Sequence, residues 1–228
     1  KLNIVDLKDL ILKIKQKKIN GVNVTVPFKK EIIPYLDKLS LEAETTQSVN
    51  TIFLENDRIS GHNTDIEGFQ LAMKDTKFNV SKKKILILGA GGVVPSIVYA
   101  LKKMKASKIM ISNRTKNKAE TLKNLFKDLV IVNWGEIPNF DMIINATSVG
   151  LNSKDEMNLD FSKLENNKFF YDVIYNPKET NFLKLAKKFG NTVENGKRMF
   201  IYQAAASFAI WHNVKPKIND EINILLDE

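Results

Sequence analysis

Apolar and polar positions repeat along this chain with two different periods, and the change of period divides it. Ile4, Leu7, Leu10, Ile11 and Ile14 fall on one face and predict an amphipathic helix over Ile4–Lys17. Gly21–Val26 reads as a short strand. Pro27 suits the first turn of a following helix, where its missing N–H needs no partner. Pro34 should end or kink that helix near Ile33. A short helix is expected over Leu41–Ser48. Asn50–Glu55 and Arg58–Gly61 read as two strands joined by a hairpin-like turn at Asn56-Asp57. A helix then starts at Asp65, and Thr64 with Glu67 fits a capping box.

Asn79–Lys84 is polar and breaks the pattern. Beyond it, Ile85–Leu88 is apolar at every position, as a strand buried on both faces should be. A glycine-rich turn at Gly89–Gly92 follows, then a helix through Lys103. Strands at Lys108–Ser112, Leu129–Val132, Asp141–Asn145 and Phe169–Ile174 alternate with helical or irregular connections, which makes a βαβ series. Helices at Glu179–Phe189, Met199–Trp211 and Ile218–Leu226 close the chain, and Gln203–Trp211 reads as buried. No repeat or low-complexity tract interrupts this α/β pattern.

Composition narrows the chemistry. The chain has 228 residues, 43% of them hydrophobic, enough for one large or two modest domains. No apolar run reaches the ~18 residues of a membrane span, and no signal peptide is visible. The chain starts at Lys1 rather than Met, which leaves room for a preceding segment. It contains no cysteine, which excludes disulfides, thiol catalysis and zinc-thiolate sites. Only His62 and His212 remain as imidazoles, far apart in sequence, and no metal site is expected. His62 reads as a loop residue and His212 as a helix end. The net charge of +9 is spread over scattered lysines and reads as a solvated surface. An anionic partner would also explain it, but no RNA-binding aromatic motif or helix-turn-helix pattern supports nucleic acid.

Five strand ends carry candidate chemistry. Ile85–Leu88 leads into Gly89-Ala90-Gly91-Gly92-Val93, where glycines let the backbone turn and approach a pyrophosphate at a helix N-terminus. Val94 stands where Gly or Ala is usual in this fingerprint, and a plain strand-to-helix turn is the simpler alternative. The next strand ends in Ser112-Asn113-Arg114-Thr115, without the acid that binds a ribose diol. Arg114 can instead grip a 2′-phosphate with its forked guanidinium, and Lys118 adds charge one turn on. The expected cofactor is therefore NADP rather than NAD. Asn145-Ala146-Thr147-Ser148-Val149-Gly150 ends another apolar strand, where Thr147 could line the cofactor groove or simply turn the chain. Tyr175 follows the last clear strand, and Gln203 lies on an apolar helix where it needs a partner. Lys29 stands at a strand end, able to hold an anion or deliver a proton. Asp65 lies in a first helical turn, where the helix dipole alone would favour it.

Taken in order, Gly21…Lys29, Ser48-Val49-Asn50-Thr51, Gly61…Asp65, Gly89–Gly92, Asn113-Arg114-Thr115, Asn145–Gly150, Asp172…Tyr175 and Gly196…Gln203 resemble the shikimate dehydrogenase family over almost the whole chain. The resemblance implies reversible NADPH-dependent reduction of 3-dehydroshikimate to shikimate, a step towards aromatic amino acids. It makes Lys29 and Asp65 the catalytic pair, with Thr25, Asn50, Tyr175 and Gln203 as further substrate-binding positions. Gly89–Val93, Asn113, Arg114, Thr115, Lys118 and Thr147 are the implied cofactor positions, with Val173 and Gly196 near the nicotinamide. It implies a substrate domain over residues 1–78, completed by 204–228, and a Rossmann domain over 79–203. The family also has an N-terminal strand and a Ser-x-Ser motif that binds the substrate carboxylate, and this chain begins at a later helix. A cytoplasmic monomer or homodimer, with no membrane or nucleic-acid partner, is expected. A quinate/shikimate dehydrogenase that accepts NAD is an alternative, disfavoured by Arg114. A non-catalytic ligand-binding paralogue is another, disfavoured by the joint presence of Lys29 and Asp65.

Overall fold

The computed structural model describes residues 7–152, 154–157, 159–161 and 165–225, so Ile4 and Leu226 of the expected terminal helices lie outside the described residues. Helix α1 (Leu7–Lys15) buries Leu10, Ile11 and Ile14 on one face. It covers a four-stranded sheet made of β1 (Gly21–Asn23), β2 (Lys38–Leu39), β3 (Thr51–Glu55) and β4 (Arg58–His62), in the spatial order β1-β3-β4-β2. β3 and β4 form an antiparallel hairpin. Its turn residues Asn56 and Asp57 take φ values of 49° and 60°, a left-handed pair that short polar side chains tolerate. Helix α2 (Leu41–Thr46) lies between β2 and β3 in the chain. The Ser40 side chain caps it by accepting the Ala43 N–H at 3.2 Å.

Between β1 and β2 the structure departs from expectation. The strand ends at Asn23 rather than Val26: the Val24 N–H still takes the Asn50 carbonyl opposite it at 2.7 Å, but the Asn50 N–H goes to the His62 carbonyl instead of back to Val24. No α-helix follows Pro27. Residues 26–32 form successive turns, then a 3-10 turn over Ile33–Tyr35. The hydrogen bonds give the reason. Val49 N–H takes the Lys29 carbonyl at 2.9 Å, so the Ile33 N–H bonds to Lys30 instead, and Pro34 has no N–H to give.

Helix α3 (Asp65–Asp75) follows β4, and His62 is the last residue of that strand rather than a loop residue, paired with Thr51. The expected capping box is absent. Thr64 has helical backbone angles and makes no side-chain cap bond, because its hydroxyl faces Asn50 and Ser207 instead.

The second sheet is parallel throughout. β5 (Lys84–Leu88), β6 (Lys108–Ser112), β7 (Val130–Val132), β8 (Met142–Asn145), β9 (Phe169–Asp172) and β10 (Thr192–Glu194) lie in the order β10-β9-β8-β5-β6-β7. Counted from β5, this is the 3-2-1-4-5-6 order of a doubly wound nucleotide-binding sheet, with its switch point between β5 and β8. Helices α4 (Val94–Lys103), α5 (Lys116–Leu125) and α6 (Asn181–Lys188) supply the crossovers and outer layers. One face of the sheet buries Ile85, Ile87, Ile97, Leu101 and Ile144 together with Phe69 and Met73 of α3. The other buries Leu86, Leu88, Ile143, Phe170 and Leu183.

Helix α7 (Lys197–His212) packs along α3, and α8 (Asp220–Leu225) ends the described chain. α7 is less buried than its sequence suggests. Of Gln203–Trp211 only Ser207 is fully buried and Phe208 is exposed, the others being half-buried, because α7 rests on α3 and the edge of the first sheet rather than inside a core. At its far end the Trp211 indole donates to the Ile52 carbonyl at 3.3 Å, which ties α7 back to the first sheet. Among the described residues, no helix is long and apolar enough to cross a membrane.

Candidate active site

The turn after β1 and the N-terminus of α3 bring Lys29 and Asp65 together. Lys29 Nζ lies 2.5 Å from Asp65 Oδ2, with the two side chains only 12% and 8% exposed. Asp65 Oδ1 accepts from Asn50 Nδ2 at 3.0 Å. The carboxylate therefore holds an ammonium with one oxygen and an amide with the other, at a helix N-terminus that itself favours negative charge. Asn50 sits just before β3 and is buried. Its Oδ1 accepts the Thr64 N–H at 2.8 Å, and its Nδ2 also faces Thr64 Oγ1 at 2.9 Å and Gln203 Oε1 at 3.3 Å. Gln203 is held from below by its own bond to the Phe200 carbonyl at 3.0 Å. One turn earlier, the Phe200 ring stacks on Tyr175 with centroids 4.5 Å apart. The Tyr175 and Thr25 hydroxyls have no hydrogen-bond partner among the described residues, and Thr25 is exposed.

The glycine turn lies against this cluster. Ser48 Oγ donates to the Gly92 carbonyl at 3.2 Å, and a Cβ on Gly92 would stand 3.8 Å from Lys29 Cδ. Asn63 Nδ2 reaches Ser96 Oγ of α4 at 2.8 Å and the Ser48 carbonyl at 2.9 Å, fixing α4 to the first sheet. Gly89 has φ +106°, and a Cβ there would meet the Ala146 carbonyl oxygen at 2.7 Å, so β5 can turn only with glycine. Its N–H bonds to Ser112 at 2.8 Å.

The residues present fit a dinucleotide. No backbone carbonyl takes the N–H groups of Ala90, Gly91, Gly92 or Val93 among the described residues, and Gly91 has only one atom within 4 Å of where a Cβ would stand. An open cradle of free N–H donors before α4 is what a pyrophosphate requires. Val94, at the unusual fingerprint position, is fully buried in the sheet core as the first residue of α4. Beyond β6, the Asn113 side chain closes a small turn on the Thr115 carbonyl at 2.7 Å, which presents Arg114 outward. Arg114 and Lys118 are exposed and form no ion pair among the described residues.

The ends of β8 and β9 complete the groove. Thr147 donates its N–H and its hydroxyl to Asn145 Oδ1, at 3.1 and 2.7 Å. Asn145 Nδ2 in turn donates to Asp172 Oδ1 at 3.1 Å. Asp172 also accepts from Thr180 Oγ1 at 2.6 Å and from the Ile174 N–H at 3.0 Å. Burial pushes the Asp172 carboxyl above its usual range, and these three donors oppose the shift. Gly196 starts α7 where any side chain would overlap the Val173 carbonyl, so the α7 N-terminus sits directly on the chain leaving β9. Among the described residues, no group of three or more His, Asp or Glu side chains is placed to hold a metal ion.

Sequence reasoning gave no site role to Thr51, Thr64, Asn63, Ser96 or Ser207, whose hydrogen bonds support the named residues. The one available signal was the spacing of Gln203 and Ser207, four apart on one helix face.

Comparison with known proteins follows the same outline. The family model described as the shikimate dehydrogenase substrate binding domain matches residues 2–52, and that of shikimate / quinate 5-dehydrogenase matches residues 70–187. The chain is 58% identical over 222 residues to a shikimate dehydrogenase (NADP(+)) of Pelagibacter ubique, covering 97% of this chain and 84% of that one. The crystal structure of a shikimate dehydrogenase from Aquifex aeolicus superposes with a TM-score of 0.89 at 37% identity, over 99% of this chain and 83% of that chain. A shikimate dehydrogenase in complex with NADP+ superposes with a TM-score of 0.90 at 36% identity, over 97% and 80%.

Proposed function

Because this chain belongs to the shikimate dehydrogenase family, we propose that it interconverts 3-dehydroshikimate and shikimate with NADP as its cofactor. The observation that carries the reading is the Lys29–Asp65 pair, nearly buried, set beside a glycine turn built for a dinucleotide.

When bound, the nicotinamide supplies the hydride for ketone reduction and takes it in the reverse direction. The chain's own residues handle the proton and the charge. As the ketone is reduced, negative charge grows on its oxygen. The Lys29 ammonium stabilises that charge and donates a proton to the oxygen. In the reverse direction the Lys29 amine accepts the hydroxyl proton. Asp65 holds Lys29 in place and leaves lone pairs for a substrate hydroxyl. Asn50, Gln203, Thr25 and Tyr175 take the remaining hydroxyls, and analogues lacking them would strand these polar groups. Gly89–Val93 receive the pyrophosphate, Asn113, Arg114, Thr115 and Lys118 the 2′-phosphate end, and Thr147, Val173 and Gly196 line the nicotinamide end.

In this reading residues 1–78 with 204–228 form the substrate domain and 79–203 the cofactor domain. Two separately packed sheets and the return of Trp211 to the first of them support the division. The protein acts in the cytoplasm as a monomer or homodimer on a small-molecule substrate, with no nucleic-acid or membrane partner. The test is steady-state oxidation of shikimate with NADP and with NAD. Turnover that strongly favours NADP is expected, and turnover favouring NAD would replace the reading with the NAD-accepting quinate/shikimate alternative.

A further inference from the structure

Behind the candidate active site lies a ring of small polar side chains that the reaction chemistry does not use. Ser207 stands at its centre, fully buried on α7, one turn past Gln203. Its Oγ accepts from Asn23 Nδ2 at 2.9 Å, lies 2.7 Å from Thr51 Oγ1 and 3.1 Å from Thr64 Oγ1, and donates to the Gln203 carbonyl at 3.0 Å. One hydroxyl thus ties together β1, β3, the residue preceding Asp65 and the helix that carries Gln203. A serine hydroxyl has one proton and two lone pairs. With its proton on the Gln203 carbonyl, Ser207 accepts from Asn23 and from one threonine. The other threonine is then left to donate to Asn50 Oδ1, at 3.1 Å from Thr51 or 3.2 Å from Thr64. That bond adds a second donor to the Thr64 N–H, which already points Oδ1 inward at 2.8 Å. With Oδ1 held by hydroxyl and backbone donors, Nδ2 is turned towards Asp65 and Gln203.

We propose that Ser207 is a positioning residue of the shikimate site, resting on the functional reading above. It is too buried to touch substrate. It takes one threonine hydroxyl so that the other can back Asn50 Oδ1 beside the Thr64 N–H, and it fixes the turn of α7 that presents Gln203 to Asn50. Without the hydroxyl, Asn23 and a threonine lose an acceptor, and the turn of α7 that carries Gln203 loses its tie to β1, β3 and the residue preceding Asp65.

The test is steady-state kinetics of shikimate oxidation with NADP for the wild-type chain, Ser207→Ala and Ser207→Thr, with a thermal melt of each. The loss of a partner for buried polar groups predicts a fall of roughly tenfold in kcat/KM for shikimate in Ser207→Ala. The fall should come with a raised KM for shikimate, a KM for NADP within about twofold of wild type, and a folded protein. Ser207→Thr, which keeps the hydroxyl, should recover most of the loss. An unchanged KM for shikimate in folded Ser207→Ala overturns the proposal. So does an equal rise in both KM values, a Thr variant no better than the Ala variant, or an Ala variant that does not fold, each of which marks a purely structural hydroxyl. A wild-type chain inactive on shikimate would remove the functional reading together with this proposal, whereas an unaffected variant of an active enzyme removes this proposal alone.

Discussion

Replacing Asp65 by Asn keeps the side chain's size and removes its charge. Asp65 now accepts from Lys29 with one oxygen and from Asn50 with the other. An amide offers one oxygen and one NH2, so one of these donors must face another donor. If the oxygen stays with Lys29, the Asn50 amide is left opposed; if it stays with Asn50, the ammonium loses both its hydrogen bond and its counterion. A hydrogen bond to a charged group contributes about 1.5–3 kcal/mol. At ~1.36 kcal/mol per tenfold in rate, this predicts a loss in kcat/KM of roughly 10- to 150-fold, on top of any lost bond to the substrate hydroxyl. The same opposed donors destabilise the fold by about 1–3 kcal/mol, or several degrees in Tm for a chain of this length. The assay is initial-rate oxidation of shikimate by Asp65→Asn, with circular dichroism melts to separate folding from catalysis. A folded variant with kcat/KM within about twofold of wild type would refute the assignment of Asp65 as the residue that holds Lys29.

Three further outcomes follow from other parts of the structure. Arg114→Ala removes an exposed cation, without an ion pair among the described residues, from the end of β6, and KM for NADP should rise about tenfold or more while KM for NAD barely changes; equal effects on both cofactors would contradict the 2′-phosphate role. Gly89→Ala puts a Cβ 2.7 Å from the Ala146 carbonyl oxygen at a φ of +106°, and calorimetry should show weakened NADP binding together with a Tm lowered by several degrees. Burial lowers the His62 pKa below its ordinary 6.5, so below that pH the unfolded chain binds more protons. His62 therefore contributes stability above about pH 6.5 that is lost as pH falls through its folded value, and His62→Gln should show a smaller drop in Tm between about pH 7 and pH 5 than wild type.

The parallel sheet was legible in the sequence because strands buried on both faces must be apolar throughout, as Ile85–Leu88 and Met142–Asn145 nearly are. The glycine turn was legible because Gly89 adopts a backbone that other residues resist. Lys29 and Asp65, 36 positions apart in sequence, could be paired only through the family resemblance, and the structure places them in contact. The Pro27 segment misled for a tertiary reason, since Val49 takes the carbonyl that a helix would have used. Thr64 misled in the same way, its hydroxyl drawn into the ring around Ser207 rather than to the helix end. Neither competitor is visible in local sequence, because both come from elements far along the chain.

In the proposed reaction Lys29 moves the proton at the shikimate oxygen. The most direct test of that role is shikimate oxidation with NADP by Lys29→Ala, compared with the wild-type chain at equal, verified folding. Removing a proton-transfer group that also stabilises the developing charge predicts a fall in kcat of roughly 10²- to 10⁴-fold with NADP binding retained. Turnover by Lys29→Ala at the wild-type rate would rule out that role for Lys29.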